Sequence, residues 1–146
     1  MRHAQAAPAA DSAADFGRPL TPAGRAAATS AAMRLLQQHG APDLVLCSPA
    51  ARTTATAEAV RPVLGGSTAL QSDARIYLAS AGMLLQVLAE CPDAARRVLL
   101  IAHNPAVSQL AARLHAGGGH ARSLATAEFR HFALAIDHWR DLREPG

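Results

Sequence analysis

Val98-Leu99-Leu100-Ile101-Ala102-His103-Asn104-Pro105 is the stretch on which the reading of the fold turns. Five apolar residues run without a polar interruption, and a histidine followed by Asn-Pro then breaks the run. An apolar run this short and uniform fits a strand buried on both faces, as in a parallel sheet covered by helices. His103-Asn104-Pro105 is expected to turn that strand into a helix ending near Leu114, before Gly117-Gly118-Gly119.

The same punctuation occurs upstream. Leu44-Val45-Leu46-Cys47 is a second buried strand, and Ser48-Pro49 follows it as a hydroxyl cap with proline at the first helical position, opening a helix to roughly Val63. Thr21-Pro22 opens another helix, expected to run to about His39 and stop at Gly40, with Pro42 preventing continuation. Ala81 to Glu90 reads as helix closed by Pro92, with a loop from Gly65 to about Ser80 before it. Residues 5 to 18 read as a loop. Phe129 to Ile136 alternates in a way that suits a final edge strand, and the tail from Asp137 reads as polar and frayed. Helices alternating with apolar strands imply an α/β fold, a three-layer α/β/α sandwich with a mostly parallel central sheet. Residues 1–146 form a single domain in this reading, with 137–146 as its polar tail. Ligands bind such sheets at the carboxyl ends of the strands, where the helix starts after Cys47 and Ala102 would aim N–H groups at one place and favour an anion.

Composition narrows the classes. At 146 residues, 50% hydrophobic and 17% charged, the chain can bury a core and is not a disordered polymer. All fourteen basic residues are arginine, and they are spread along the chain rather than gathered into an arm. With aromatics at 3% there is no stacking platform either, so no nucleic acid is expected as a partner. Cys47 and Cys91 stand apart, as reduced thiols of an intracellular protein do. No apolar stretch approaches the ~20 residues of a membrane span, so the expected location is the cytoplasm. His39, His115, His120, His131 and His138 lack paired ligand spacing and read as surface residues. Neither metal nor cofactor is expected.

Four segments, Arg2-His3-Ala4, Arg18-Pro19-Leu20-Thr21-Pro22-Ala23-Gly24-Arg25, Ser48-Pro49-Ala50-Ala51-Arg52-Thr53 and His103-Asn104-Pro105-Ala106, carry a resemblance. In this order and spacing the chain resembles the histidine phosphatase superfamily, and within it the short SixA-like phosphohistidine phosphatases, over residues 2 to about 114. The resemblance implies the fold of that superfamily and a phosphatase working through a phosphohistidine. It implies His3 as nucleophile, Arg2 and Arg52 as phosphate clamps, and His103 as a further donor to the phosphoryl oxygens. The backbone amide of Asn104 would add another donor, and Arg18, in a loop over the pocket, would meet the substrate. A phosphoryl group spreads charge over three oxygens, and a planar guanidinium offers two of them a fork that lysine lacks.

Departures from the pattern set further expectations. The first strand is missing in front of Arg2-His3, so the domain reads as N-terminally truncated, Met1 as an internal methionine, and His3 as hanging from a mobile terminus. A catalytically weak phosphate-binding domain is therefore the alternative reading; a small-molecule phosphatase or mutase fits the short chain less well. No carboxylic acid clearly serves as proton donor: Ala79 stands where some relatives carry glutamate, Glu58 lies off the Arg52 face of its helix, and Asp11, Asp15 and Asp73 are loop residues without support. The expected substrate is accordingly a protein phosphohistidine or another labile phosphoryl compound.

Overall fold

The structure, a computed structural model, describes residues 1–115 and 122–142. The Gly117–Gly119 loop, His120 and the last residues of the tail lie outside the described residues. Three parallel strands form the sheet: β1 (Leu44–Cys47), β2 (Ala69–Ser72) and β3 (Val98–Ile101), in the order β2-β1-β3. Four helices cover it: α1 (Pro22–His39), α2 (Ala51–Val60), α3 (Ala81–Ala89) and α4 (Ala106–Leu114).

The apolar runs fill both layers because successive side chains of a strand point to opposite faces. Val45, Cys47, Leu99 and Ile101 join Ala28, Ala31, Ala32, Leu35, Ala57 and Val60 beneath α1 and α2. Leu46 and Leu100 join Leu84, Leu88, Val107 and Leu110 beneath α3 and α4. Full burial of side chains such as Leu46, Leu84 and Ile101 contributes ~1.5–3 kcal/mol each. Small alanines on α1 let that helix lie close to α2.

Several expectations are corrected. Within the expected loop from Gly65 to Ser80 lies β2, whose four residues are all exposed; an edge strand held by backbone pairing to Leu44–Cys47 needs no apolar pattern. A 3-10 turn at Ala74–Ile76 follows it, capped by Asp73. The 5–18 loop contains a 3-10 helix, Ser12–Gly17, capped by Asp11. Ser48 does not cap α2: that helix begins at Ala51, while the Ser48 hydroxyl accepts from the Ala50 amide. No strand forms over 129–136. A hollow of about 330 Å³ is lined jointly by Leu99 and Leu100 of β3 and by Phe129, Phe132 and Leu134 of that segment, among others. The tail is not frayed as far as Leu142: Asp93 accepts from the Trp139 amide (3.0 Å) and meets the His138 ring (2.8 Å), and Leu142 is buried.

The chain start is also held more firmly than expected. The Met1 nitrogen donates to the Leu100 carbonyl (2.8 Å), Ala102 N–H to the Met1 carbonyl (3.1 Å), and His3 N–H to the Ala102 carbonyl (3.1 Å). On the other side Arg2 N–H donates to Glu128 and the His3 carbonyl accepts from Ala127. Residues 1–3 thus run as a short parallel extension beside the end of β3, with a bridge at Arg2 and Ala102. His3 does not hang free: its main chain is bonded to Ala102 on one side and Ala127 on the other.

Gly24 shows how α1 holds the segment after His3. Thr21 caps α1 through the Gly24 amide, and its own amide donates to the Gln5 carbonyl. A Cβ on Gly24 would stand 2.2 Å from that carbonyl oxygen, which is backbone and cannot turn aside. Gly24→Ala is expected to lower stability by about 1–3 kcal/mol, read as a reduced urea midpoint, and to reduce activity by displacing residues 3–5.

Candidate active site

The site is built at the carboxyl end of the sheet, from the ends of the residue 1–3 extension, β3 and β1. His3 is 7% exposed. Its Nδ1 lies 2.7 Å from the Ala4 carbonyl, and a carbonyl only accepts, so Nδ1 carries the proton and Nε2 carries the lone pair. Ala4 is fixed from α2, its amide donating to the Thr56 hydroxyl (3.0 Å), which itself donates to the Arg52 carbonyl. The nucleophile expected from the sequence and the helix bearing Arg52 are therefore joined by one buried threonine.

Arg52, 5% exposed, reaches from the first turn of α2 toward the 5–18 loop. Its Nη1 donates to the Asp15 carbonyl (2.8 Å) and its Nη2 to the Asp15 carboxylate (3.2 Å), while its Nε has no partner. His103 follows β3, with its ring centroid 5.4 Å from that of His3 and both ring nitrogens buried and unpartnered. An unpaired buried polar group is costly, and an entering anion would relieve that cost at the one nitrogen of the neutral ring that carries a proton. Arg18 donates from Nε to Asp15 (3.0 Å) and stays on the rim. Arg2 turns its Nη1 to the Leu124 carbonyl (2.9 Å) and leaves Nε unpartnered. The Asn104 side chain is spent on structure, donating to Ser123 and Leu124 and accepting from Ser108. Of the Asn104 groups, only the backbone amide is left for a ligand role.

Asp15, which the sequence reading set aside, and Tyr77, to which it gave no role, complete the site. Asp15, read as an unsupported loop residue, accepts from Arg52, Arg18 and the Tyr77 hydroxyl (2.9 Å). The Tyr77 hydrogen bond, followed by the charge of Arg52, holds its carboxyl below the usual carboxylate range. Asp15 is therefore an acceptor at neutral pH and no proton donor. Tyr77 packs edge-on to His103 (5.7 Å). The spacing Asp15-x-x-Arg18 was the one local signal for this cluster; nothing local marked Tyr77. A cavity of about 230 Å³ opens over Arg52 and His103, walled by Ile76, Tyr77, Ala79 and Pro105 with Leu78 at its mouth. The larger hollow beside residues 129–136 contains none of these side chains. Cys47, at the end of β1, has its thiol pushed up to about 11 by burial, so it stays protonated.

Burial, reinforced by neighbouring arginine charge, pushes both His3 and His103 down to about 4. Each ring stays neutral at any pH above that. In the unfolded chain the same rings protonate near 6.5, so between 6.5 and about 4 the unfolded state binds protons that the folded state does not. Stability should therefore fall as pH drops through this window and be insensitive to these rings above it. Urea midpoints at pH 7.5, 5.5 and 4.5 check this, and equal midpoints would refute it.

Fold and site together define an α/β protein whose strand ends gather the guanidinium groups of Arg2 and Arg52 and the neutral imidazoles of His3 and His103. The chain belongs to the histidine phosphatase superfamily (branch 1), whose profile matches residues 1–84. A curated relative, the uncharacterized protein Rv1276c of Mycobacterium tuberculosis, is 31% identical over 153 residues, covering 100% of this chain and 93% of its own. Among solved structures, the protein histidine phosphatase SixA complexed with tungstate superposes with a TM-score of 0.74 at 30% identity, over 86% of this chain and 80% of that one. A SixA protein from Nakamurella multipartitia matches with a TM-score of 0.67 at 36% identity, over 78% of this chain and 62% of that one. In that comparison this chain spans less than two thirds of its relative. Among the described residues no helix is long and apolar enough to cross a membrane.

Proposed function

We propose that this protein is a phosphatase that removes phosphoryl groups from phosphohistidine through a covalent phosphohistidine of its own at His3. The observation that carries the reading is the tautomer fixed by the Ala4 carbonyl, which leaves Nε2 as a neutral lone pair beside Arg52 and His103. In the first step that lone pair attacks phosphorus. The bond to the substrate nitrogen breaks, and its electron pair stays with the leaving imidazole. In the second, water attacks the phosphorus, the P–Nε2 bond breaks with its pair returning to Nε2, and the water proton passes to solvent. Splitting one displacement into two is the usual gain of covalent catalysis.

Arg2, Arg52, His103 and the Asn104 amide act on the phosphoryl oxygens, and Arg18 acts at the rim. Tungstate, bound in the SixA relative, is a tetrahedral oxyanion like phosphate and fits the same assignment. The ionised state of Asp15 supports the choice of substrate. An alkoxide leaving group needs a proton donor, whereas a phosphoimidazole protonated on its distal nitrogen departs as neutral imidazole. Brief incubation with phosphoramidate or a histidine-phosphorylated protein, followed by denaturation, should leave acid-labile, base-stable phosphate on His3. Turnover without label at His3, or faster turnover of alkyl phosphates than of phosphohistidine, would overturn the proposal.

A further inference from the structure

Leu78 stands out among the residues that the chemistry does not use. Its side chain is 82% exposed, the most exposed of the large hydrophobic residues among those described. Its φ is 56°, in the left-handed region that a leucine enters at a steric cost. If the turn from Ala74–Ile76 into α3 were all that was needed, glycine or asparagine would serve without strain or exposure. Leu78 lies at the mouth of the cavity over Arg52 and His103. Phe16, 44% exposed, packs edge-on against the neighbouring Tyr77 at 5.0 Å. Leu78 and Tyr77 thus line the cavity that Arg52 and His103 also line, and Phe16 continues the exposed apolar surface outward from Tyr77.

A carrier that brings a phosphoryl group to Arg52 and His103 comes within reach of this apolar surface. A sugar or other polar phosphate ester gains nothing from exposed leucine and phenylalanine. A polypeptide does, provided that apolar side chains flank its phosphorylated residue. The phosphoryl charge complements Arg2, Arg18 and Arg52, which outnumber the single Asp15 carboxylate among them. We infer that Leu78 and Phe16 are a docking rim selecting polypeptides whose phosphohistidine is flanked by apolar side chains. This inference rests on the phosphatase reading above and names the carrier which that reading leaves open.

The test uses two synthetic peptides, each with one histidine phosphorylated by phosphoramidate and differing only in leucines or serines flanking it. Wild type is expected to show a kcat/KM about tenfold higher for the leucine peptide, the effect of burying roughly one apolar side chain. Leu78→Gly keeps the backbone conformation, relieves its strain and removes the side chain. It should abolish the preference, retain or raise Tm, and turn over phosphoramidate within twofold of wild type. No preference in wild type, or an unchanged preference in Leu78→Gly, overturns the docking rim. If phosphoramidate and both peptides are left intact, the phosphatase reading fails instead. The rim is then judged by the binding of the same two phosphopeptides to wild type and Leu78→Gly, measured by fluorescence anisotropy, where equal affinities overturn it.

Discussion

His3→Asn lowers kcat on phosphohistidine by at least about 10⁴-fold, the order of loss when a covalent nucleophile is removed, and no phosphate is trapped on the protein. Asparagine keeps an N–H donor that can meet the Ala4 carbonyl, but it has no lone pair able to take the phosphoryl group. The fold does not depend on the imidazole. The main-chain bonds of residue 3 to Ala102 and Ala127 are unaffected by the exchange, so an unchanged Tm separates lost chemistry from lost structure. Binding of tungstate, which needs the guanidinium groups more than the nucleophile, should stay within a few-fold of wild type. Residual turnover within tenfold of wild type would remove His3 from the nucleophile's place.

The places of Arg52 and His103 were legible in the sequence because each follows a boundary that sequence marks well, whereas the roles of His3, Arg2 and Arg52 rest on the family resemblance alone. Leu44–Cys47 and Val98–Ile101 are apolar on both faces, and each ends where a helix begins, so Arg52 and His103 fall at strand ends by position alone. Thr21-Pro22 and Gly40 likewise bracket α1 with local chemistry. The misses share a different cause. β2 is an exposed edge whose only requirement is backbone pairing with β1. Phe129 to Ile136 has the alternation of a strand, yet alternation fixes which side chains face inward and supplies no neighbouring backbone. Asp15 and Tyr77 stand 62 residues apart in the chain and meet through a direct hydrogen bond. Their relation is tertiary, so no local pattern reveals it.

Arg52→Lys should show the second large loss, about 10²-fold in kcat/KM, and Arg52→Ala about 10³-fold, within the range found when one preorganised donor to a developing oxyanion is removed. Lysine keeps the charge but cannot present two parallel donors. At this position the fork already holds the Asp15 carbonyl and carboxylate together. The resident carboxylate must share or yield that fork when a phosphoryl group arrives, so part of the binding energy is offset by a competing anion of the protein itself. Asp15→Asn separates the two effects. It keeps an oxygen for Arg52 and the Tyr77 hydroxyl but removes the negative charge. Inorganic phosphate should therefore inhibit Asp15→Asn several-fold more tightly than wild type, while Arg52→Lys is inhibited less. If instead Asp15→Asn binds phosphate more weakly, the carboxylate positions Arg52 for the substrate rather than competing with it. Were Arg52→Lys to retain wild-type kcat/KM, the bidentate clamp would have no part in the reaction, and the catalytic cation would have to be sought in Arg2 or Arg18.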